Sequence, residues 1–251
     1  MNQSWPLPLW IAHRGAGKLA PENTLAAFRA GASHGYRAFE CDVKLSADGQ
    51  PFLLHDATLD RTTSERGVAA ERPWLELSRI DAGGWHSRAF AGEPLPSLEA
   101  IAHYVQRNGY ALNIEIKPTP GQEAETGRVV AAACTRLWAH ARAPLLFSSF
   151  KVEALQAAQA AAPHIPRALL LDTLSAGWFE TAQSLAAAAV VTNYNVMDAK
   201  LLAQLHDAGL RGLCYTVNDP PEARRLLGLG IDGIITDAVD RFSPHASAVF
   251  D

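Results

Sequence analysis

Residues 38–56 read Ala38-Phe39-Glu40-Cys41-Asp42-Val43-Lys44-Leu45-Ser46-Ala47-Asp48-Gly49-Gln50-Pro51-Phe52-Leu53-Leu54-His55-Asp56. The run opens as an apolar strand that carries two acids, Glu40 and Asp42, two positions apart. Side chains alternate faces along a strand, so both acids leave one face while Phe39 and Cys41 leave the other, toward packed helices. Asp48-Gly49 is a turn signal between two apolar runs and predicts a hairpin. A turn centred between these two residues pairs position 42 with position 55 and stands His55 beside Asp42. A slip of one residue in that register is expected to turn His55 away.

The same pattern, a short apolar run closed by polar residues, recurs outward from this stretch. His13-Arg14-Gly15 follows the run at 9–12, and Glu115-Ile116-Lys117 closes the run at 111–116. Strands are expected at 9–12, 38–43, 111–116, 144–148, 168–171, 189–192, 212–216 and 233–236. Helical spacing of apolar residues predicts helices at 22–34, 98–107, 126–141, 151–161, 175–187, 198–208 and 220–229. Strands alternating with helices predict a parallel sheet. Eight strands within 251 residues fit an α/β fold of the closed (β/α)8 TIM-barrel type. An open doubly wound sheet is the alternative. The barrel is preferred because strand ends there form one ring, whereas an open sheet offers a crevice only at its switch point. Residues 56–96 are rich in Gly, Arg, Thr and Pro and lack a long periodic element. They are expected to form a small cap insertion after the second-strand hairpin, within a single domain spanning 1–251.

Composition narrows the partners. Lys and Arg number 22 against 26 Asp and Glu, for a net charge of -4, and no basic run occurs. No nucleic-acid partner is expected, and an anionic substrate has to be held locally by placed cations or a metal. No apolar stretch reaches bilayer length, so no stable membrane anchor is expected. Residues 1–9 lack the basic and apolar regions of a secretory leader. Three scattered cysteines, Cys41, Cys134 and Cys214, make a disulfide framework or zinc knuckle unexpected and favour a reducing cytoplasm. The oligomeric state is left open.

Glu40, Asp42 and Glu115, gathered at a barrel mouth, would repel one another and raise one another's pKa unless a cation joined them. An oxygen-only donor set favours one hard divalent cation, Mg²⁺ or Ca²⁺. His13 and His55 can take and give protons near neutral pH, the two acts that phosphodiester cleavage needs. Arg14 and Lys117 can neutralise phosphate oxygens, the first bidentately and the second as a point charge. Gly15 and Gly17 allow a tight turn and close backbone approach.

Taken together these motifs resemble the glycerophosphodiester phosphodiesterase family, within the wider group of phospholipase-C-like phosphodiesterase barrels. The resemblance rests on His13-Arg14-Gly15, Pro21-Glu22-Asn23-Thr24, Glu40-x-Asp42, His55-Asp56 and Leu59-Asp60-Arg61-Thr62-Thr63. It continues through Pro96-Ser97-Leu98-Glu99, Glu115-x-Lys117, Ser148-Ser149-Phe150, Thr216-Val217-Asn218 and Gly233-Ile234-Ile235-Thr236-Asp237. It implies a TIM barrel with an inserted cap, with His13 and His55 as the acid/base pair and Glu40, Asp42 and Glu115 as metal ligands. It further implies Arg14 and Lys117 as phosphate contacts, Glu22 as a supporting residue, and Phe150 and Tyr215 lining the glycerol or alcohol side. Tyr215 stands where the family often has Trp, and Ala238 where it commonly has proline. The implied reaction is hydrolysis of a small glycerophosphodiester to sn-glycerol 3-phosphate and an alcohol, with both assignments of acid and base open. A lysophospholipase D-type activity and a catalytically idle binding barrel are the alternatives.

Overall fold

The structure is a computed structural model and describes residue 5 and residues 7–244. Residues 1–4, 6 and 245–251, on which parts of the leader and domain-span expectations fall, lie outside the described residues. The strands are β1 (Trp10–Ala12), β2 (Ala38–Leu45), β3 (Pro51–Leu53), β4 (Ala111–Ile116), β5 (Leu145–Ser149), β6 (Arg167–Leu171), β7 (Ala189–Asn193), β8 (Arg211–Tyr215) and β9 (Gly233–Thr236). The helices are α1 (Leu25–Ser33), α2 (Trp74–Leu77), α3 (Leu98–Asn108), α4 (Glu123–Leu137), α5 (Val152–Ala161), α6 (Trp178–Ser184), α7 (Ala199–Asp207) and α8 (Pro220–Leu229).

The strands run β1-β9-β8-β7-β6-β5-β4-β2, all parallel, and the β1–β2 pairing closes the ring. β3 lies outside it, antiparallel to β2. This is the closed eight-stranded barrel that the alternating pattern implies, and the open sheet is excluded. Alternation along each strand separates two cores. Phe39, Cys41 and Val43 of β2 face the helices, as do Leu112, Ile114 and Ile116 of β4. Ala38, Ala111, Leu146, Ala168 and Ala189 fill the lower barrel interior, and Leu7 packs with them. Small side chains suit the narrow interior of an eight-stranded barrel. Above this layer the inward positions of β2, β4 and β5 become polar, while Leu170 of β6 and Ile235 of β9 stay apolar.

Helix ends follow local chemistry. Ser97 caps α3, accepting from Ala100 N at 3.1 Å, and Gly109 ends it at φ +67°. Asp198 caps α7 through Leu201 N at 2.7 Å. The helix expected from residue 22 begins only at Leu25, because Thr24 is its N-cap and Asn23 sits at φ +60°. The helix expected at 175–187 is shorter, starting after Gly177 at φ +79°.

The hairpin differs from expectation by one residue. Val43 pairs with Leu53 and Leu45 with Pro51, so Asp42 lies opposite Leu54 rather than His55. Asp42 O accepts from Leu54 N at 3.1 Å. The cause is a three-residue loop, Ala47-Asp48-Gly49, with Gly49 in the left-handed region at φ +77°. The slip does not turn His55 away, because the chain leaves the ladder after Leu54 and bends at His55, which is free of strand alternation.

Residues 56–96 form short turns and α2 around a small core of their own, which includes Leu59, Leu77, Ile80 and Leu95 together with Phe52 and Leu54. They touch the loop after β1, where His86 Nε2 lies 3.0 Å from Lys18 O, and the start of α1, where Glu93 accepts from Ala26 N at 2.9 Å. No helix of the described residues is long and apolar enough to cross a membrane.

Candidate active site

The C-terminal ends of the barrel strands surround a cavity of about 300 Å³. His13, Arg14, Glu40, His55, Glu115 and Lys117 line it, with Phe150 and Tyr215. Asp42 is buried beside them, and Glu22 lies behind Arg14, its Oε1 accepting from the guanidinium at 2.8 Å. The structure thus brings all ten expected residues to one end of the barrel.

Three carboxylates meet there. Glu40, Asp42 and Glu115 each offer an oxygen, and these oxygens all lie within 4.8 Å of one another. Sheet register produces this, since Asp42 of β2 stands beside Glu115 of β4 and Glu40 lies two residues earlier on the same face. Backbone and side-chain donors fix the group. Arg14 N donates to Glu40 Oε2 at 3.1 Å from a residue at φ +50°. Asn23 Nδ2 donates to Asp42 Oδ2 at 2.8 Å, and Asp42 N donates back to Asn23 Oδ1 at 3.1 Å.

Burial and repulsion divide the three acids. Burial and the charges of Asp42 and Glu115 push Glu40 well above the usual carboxylate range. Burial and Asp42 raise Glu115 to about 7, against the pull of Lys117. Asp42 goes the other way: burial opposes its charge, but Lys117, Arg14 and His55 hold it far below its ordinary value. Two acids that resist ionising beside a third that is ionised lack positive charge, and an all-oxygen set fits a hard cation. The donor set therefore suits a divalent metal held by Glu40, Asp42 and Glu115.

The two expected phosphate contacts are paired with carboxylates. Lys117 Nζ lies 3.2 Å from Asp42 Oδ1 and 3.1 Å from Glu115 Oε1. Arg14 Nε lies 3.2 Å from Asp42 Oδ2 without the alignment of a hydrogen bond. Both cations border the cavity, so an incoming anion can take over these pairings.

Each histidine is held by an aspartate. His13 Nδ1 lies 2.6 Å from Asp237 Oδ1, and His55 Nδ1 lies 2.6 Å from Asp56 Oδ1. The His13 hydrogen bond and Asn218 hold Asp237 below its ordinary pKa despite burial, and Arg61 and His55 do the same for Asp56. An ionised carboxylate only accepts, so each Nδ1 carries the proton and each Nε2 is left to exchange one. His13 Nε2 lies 3.8 Å from Glu40 Oε2. Burial, joined by the charges of Arg14 and Lys117, pushes the His55 imidazole below its ordinary pKa, although Asp42 and Asp56 pull it up.

Several site residues carried no assigned role in the sequence reading. Asp237 ends the run 233–236 in the same way that His13 ends 9–12, and that strand-end position was its signal. Asn218 grips it, donating to Asp237 Oδ2 at 2.9 Å and accepting from Asp237 N at 2.8 Å. Arg61 spans two acids: its Nε donates to Asp56 Oδ2 at 2.7 Å, and its terminal nitrogens reach both Glu22 oxygens at 2.7 and 2.8 Å. A continuous chain results, His55–Asp56–Arg61–Glu22–Arg14, and nothing in sequence spacing announces it.

The model of the "Glycerophosphoryl diester phosphodiesterase family" matches residues 13–241. A glycerophosphodiester phosphodiesterase of Caldanaerobacter subterraneus is 30% identical over 91% of this chain and 93% of its own. A solved Oleispira antarctica phosphodiesterase, in complex with the product sn-glycerol 3-phosphate, is 35% identical with a TM-score of 0.86, covering 92% of this chain and 94% of that one. A solved glycerophosphodiester phosphodiesterase from Agrobacterium tumefaciens is 29% identical with a TM-score of 0.78, covering 93% and 98%. Sequence match over most of both chains and a shared barrel lead to one assignment: the chain belongs to the glycerophosphoryl diester phosphodiesterase family.

Proposed function

We propose that this chain hydrolyses small glycerophosphodiesters to sn-glycerol 3-phosphate and an alcohol, using a divalent cation and the histidine pair His13 and His55. One observation carries the reading. Two imidazoles, each with Nδ1 committed to a carboxylate, border the same cavity as three clustered acids, Arg14 and Lys117. The product bound to the Oleispira antarctica phosphodiesterase supports the choice of sn-glycerol 3-phosphate.

Glu40, Asp42 and Glu115 would hold the cation, and their oxygen-only donors favour Mg²⁺ or Ca²⁺. When bound, the cation supplies Lewis-acid neutralisation of a phosphate oxygen and a template for glyceryl hydroxyls. Arg14 and Lys117 take the remaining phosphate charge. One histidine accepts the proton of the glyceryl 2-hydroxyl as its oxygen bonds to phosphorus. The other gives a proton to the departing alcohol as its ester bond to phosphorus breaks. Water then opens the resulting cyclic phosphate with the proton roles reversed, so one water is consumed overall. An internal nucleophile gains in effective molarity, and the chemistry needs no serine or cysteine nucleophile. Phe150 and Tyr215, edge to face at 5.8 Å between ring centroids, line the alcohol side. Residues 56–96 act as a cap on a single barrel domain, supplying Asp56 and Arg61 beside His55. We place the enzyme in the cytoplasm on the strength of its three buried thiols, Cys41, Cys134 and Cys214.

The test is a coupled glycerol 3-phosphate assay on glycerophosphocholine, glycerophosphoethanolamine and lysophosphatidylcholine. It is run with EDTA and then with Mg²⁺ or Ca²⁺ restored. Turnover of the first two substrates, lost on chelation and regained with the cation, is the expected result. Release of choline from lysophosphatidylcholine alone would replace this reading with the lysophospholipase one.

A further inference from the structure

Two polar side chains on the cavity wall have no part in the chemistry above. Asn113 of β4 and Ser148 of β5 both face the barrel interior and border the cavity. Asn113 is 1% exposed and Ser148 0%. Asn113 Nδ2 and Oδ1 and Ser148 Oγ have no hydrogen-bond partner among the described residues. Ser149, next along β5, is satisfied, its Oγ donating to Ile116 O at 2.6 Å. Native proteins rarely leave a buried amide or hydroxyl unpaired, so three unmet atoms in one place point to a ligand that meets them.

The register locates this spot. Asn113 stands beside Glu40, and Ser148 beside Glu115, so the unmet atoms adjoin the carboxylate cluster. An amide donates and accepts, as does a hydroxyl, and the group that answers both is another hydroxyl. Leu170 of β6 and Ile235 of β9 border the same cavity and present apolar surface. A lone water satisfies the polar atoms but leaves that surface uncovered, whereas a carbon chain bearing hydroxyls covers both. Arg14 and Lys117 are less buried, with side chains 17% and 23% exposed, which sets the anionic end of a ligand nearer the rim.

We infer that Asn113 and Ser148 form a subsite for the terminal hydroxyl of the glyceryl group and thereby set the preference for glyceryl over other 1,2-diol phosphodiesters. The inference rests on the function proposed above and names what that site reads in its substrate. Both residues bind; neither transfers a proton.

The test compares a glycerophosphodiester with a propane-1,2-diol phosphodiester, which keeps the 2-hydroxyl and lacks only the terminal one. Wild-type enzyme, Asn113→Leu and Ser148→Ala are each assayed on both. The wild type is expected to favour the glyceryl substrate in kcat/KM by about tenfold or more, and each variant to shrink that ratio by about tenfold, whatever its absolute rate. A ratio unchanged in both variants overturns the subsite, as does a wild type that hydrolyses both substrates equally well. A wild type that hydrolyses no glycerophosphodiester overturns the proposed function and this inference with it. Calorimetric affinities for sn-glycerol 3-phosphate and propane-1,2-diol 1-phosphate give the same ratio where a variant turns over too slowly.

Discussion

Nδ1 of His13 lies 2.6 Å from Oδ1 of Asp237, a residue 224 positions downstream at the end of the last barrel strand. β1 pairs directly with β9, Ala12 beside Thr236, so the residues that follow each strand meet. Asp237 fixes the imidazole tautomer, and Asn218 fixes Asp237. Asp237→Asn keeps the shape but removes the charge and the obligatory acceptor. It is expected to lower kcat by about 100-fold with the fold intact by circular dichroism. Undiminished kcat would show that His13 needs no such partner.

Arg61 does for His55 what no strand neighbour can. Its guanidinium grips Asp56 and Glu22 at once, tying His55 to Arg14 beside the carboxylate cluster. Lysine offers a point charge and no fork, so Arg61→Lys is expected to reproduce only part of the effect. We expect kcat/KM to fall about tenfold in Arg61→Ala and less in Arg61→Lys. The loss in the alanine variant should show as a distorted pH–rate profile as well as a lower plateau. A parallel drop at every pH would assign Arg61 to folding alone.

Much of this arrangement was legible in sequence because strand geometry is periodic. The two-residue step from Glu40 to Asp42, with Glu115 beside Asp42, sets three acids on the inward face in the register of β2 and β4, and Lys117, one residue past β4, lines the same cavity. The same step back from Glu115 leads to Asn113. The hairpin register differs by one residue because Asp-Gly can close either a two-residue or a three-residue loop; Gly49 is left-handed in both, and the bond from Ser46 N to Gln50 O, with Asp48 outside the left-handed region, selects the longer one. His55 still reaches the cavity because the bent backbone beyond Leu54 is not bound by alternation. Asp237, Asn218 and Arg61 carry no spacing signal toward their partners, since barrel closure and the 56–96 segment bring them together across long stretches of chain.

Gly17 links backbone freedom to the His13 site. It sits at φ +56°, and a Cβ there would lie 2.2 Å from Cα of Asp237. Gly17→Ala must therefore strain its own backbone and push Asp237 off His13. Loss of both stability and kcat is expected. Gly49→Ala is the control: at φ +77° with nothing within 4 Å, it should cost about 1 kcal/mol of stability and leave catalysis alone. Denaturant unfolding and steady-state kinetics on both variants separate strain from displacement. Equal kinetics in the two would mean that the contact with Asp237 is dispensable.

The carboxylate cluster makes stability depend on pH, and a divalent cation bound there would couple to the same protons. Glu115 ordinarily titrates at 4.5 and is raised to about 7, and Glu40 is raised well above its own ordinary value. Without a cation, the folded protein therefore holds protons that the unfolded chain has released. The stability this contributes is fully present below pH 4.5 and is lost as pH rises through about 7. Asp42, shifted downward, contributes in the opposite sense, but its contribution is lost only in strong acid, outside this window. Melting temperature in EDTA is thus expected to fall between pH 5.5 and pH 8, and Glu115→Gln to flatten that fall. A divalent cation must displace these protons to bind, so its stabilisation should be larger at pH 8 than at pH 5.5. Calorimetry at pH 7 in two buffers of different ionisation enthalpy should also register proton release on binding. A cation-induced shift in melting temperature that is the same at both pH values, with no proton release, would mean that the ion binds away from Glu40 and Glu115.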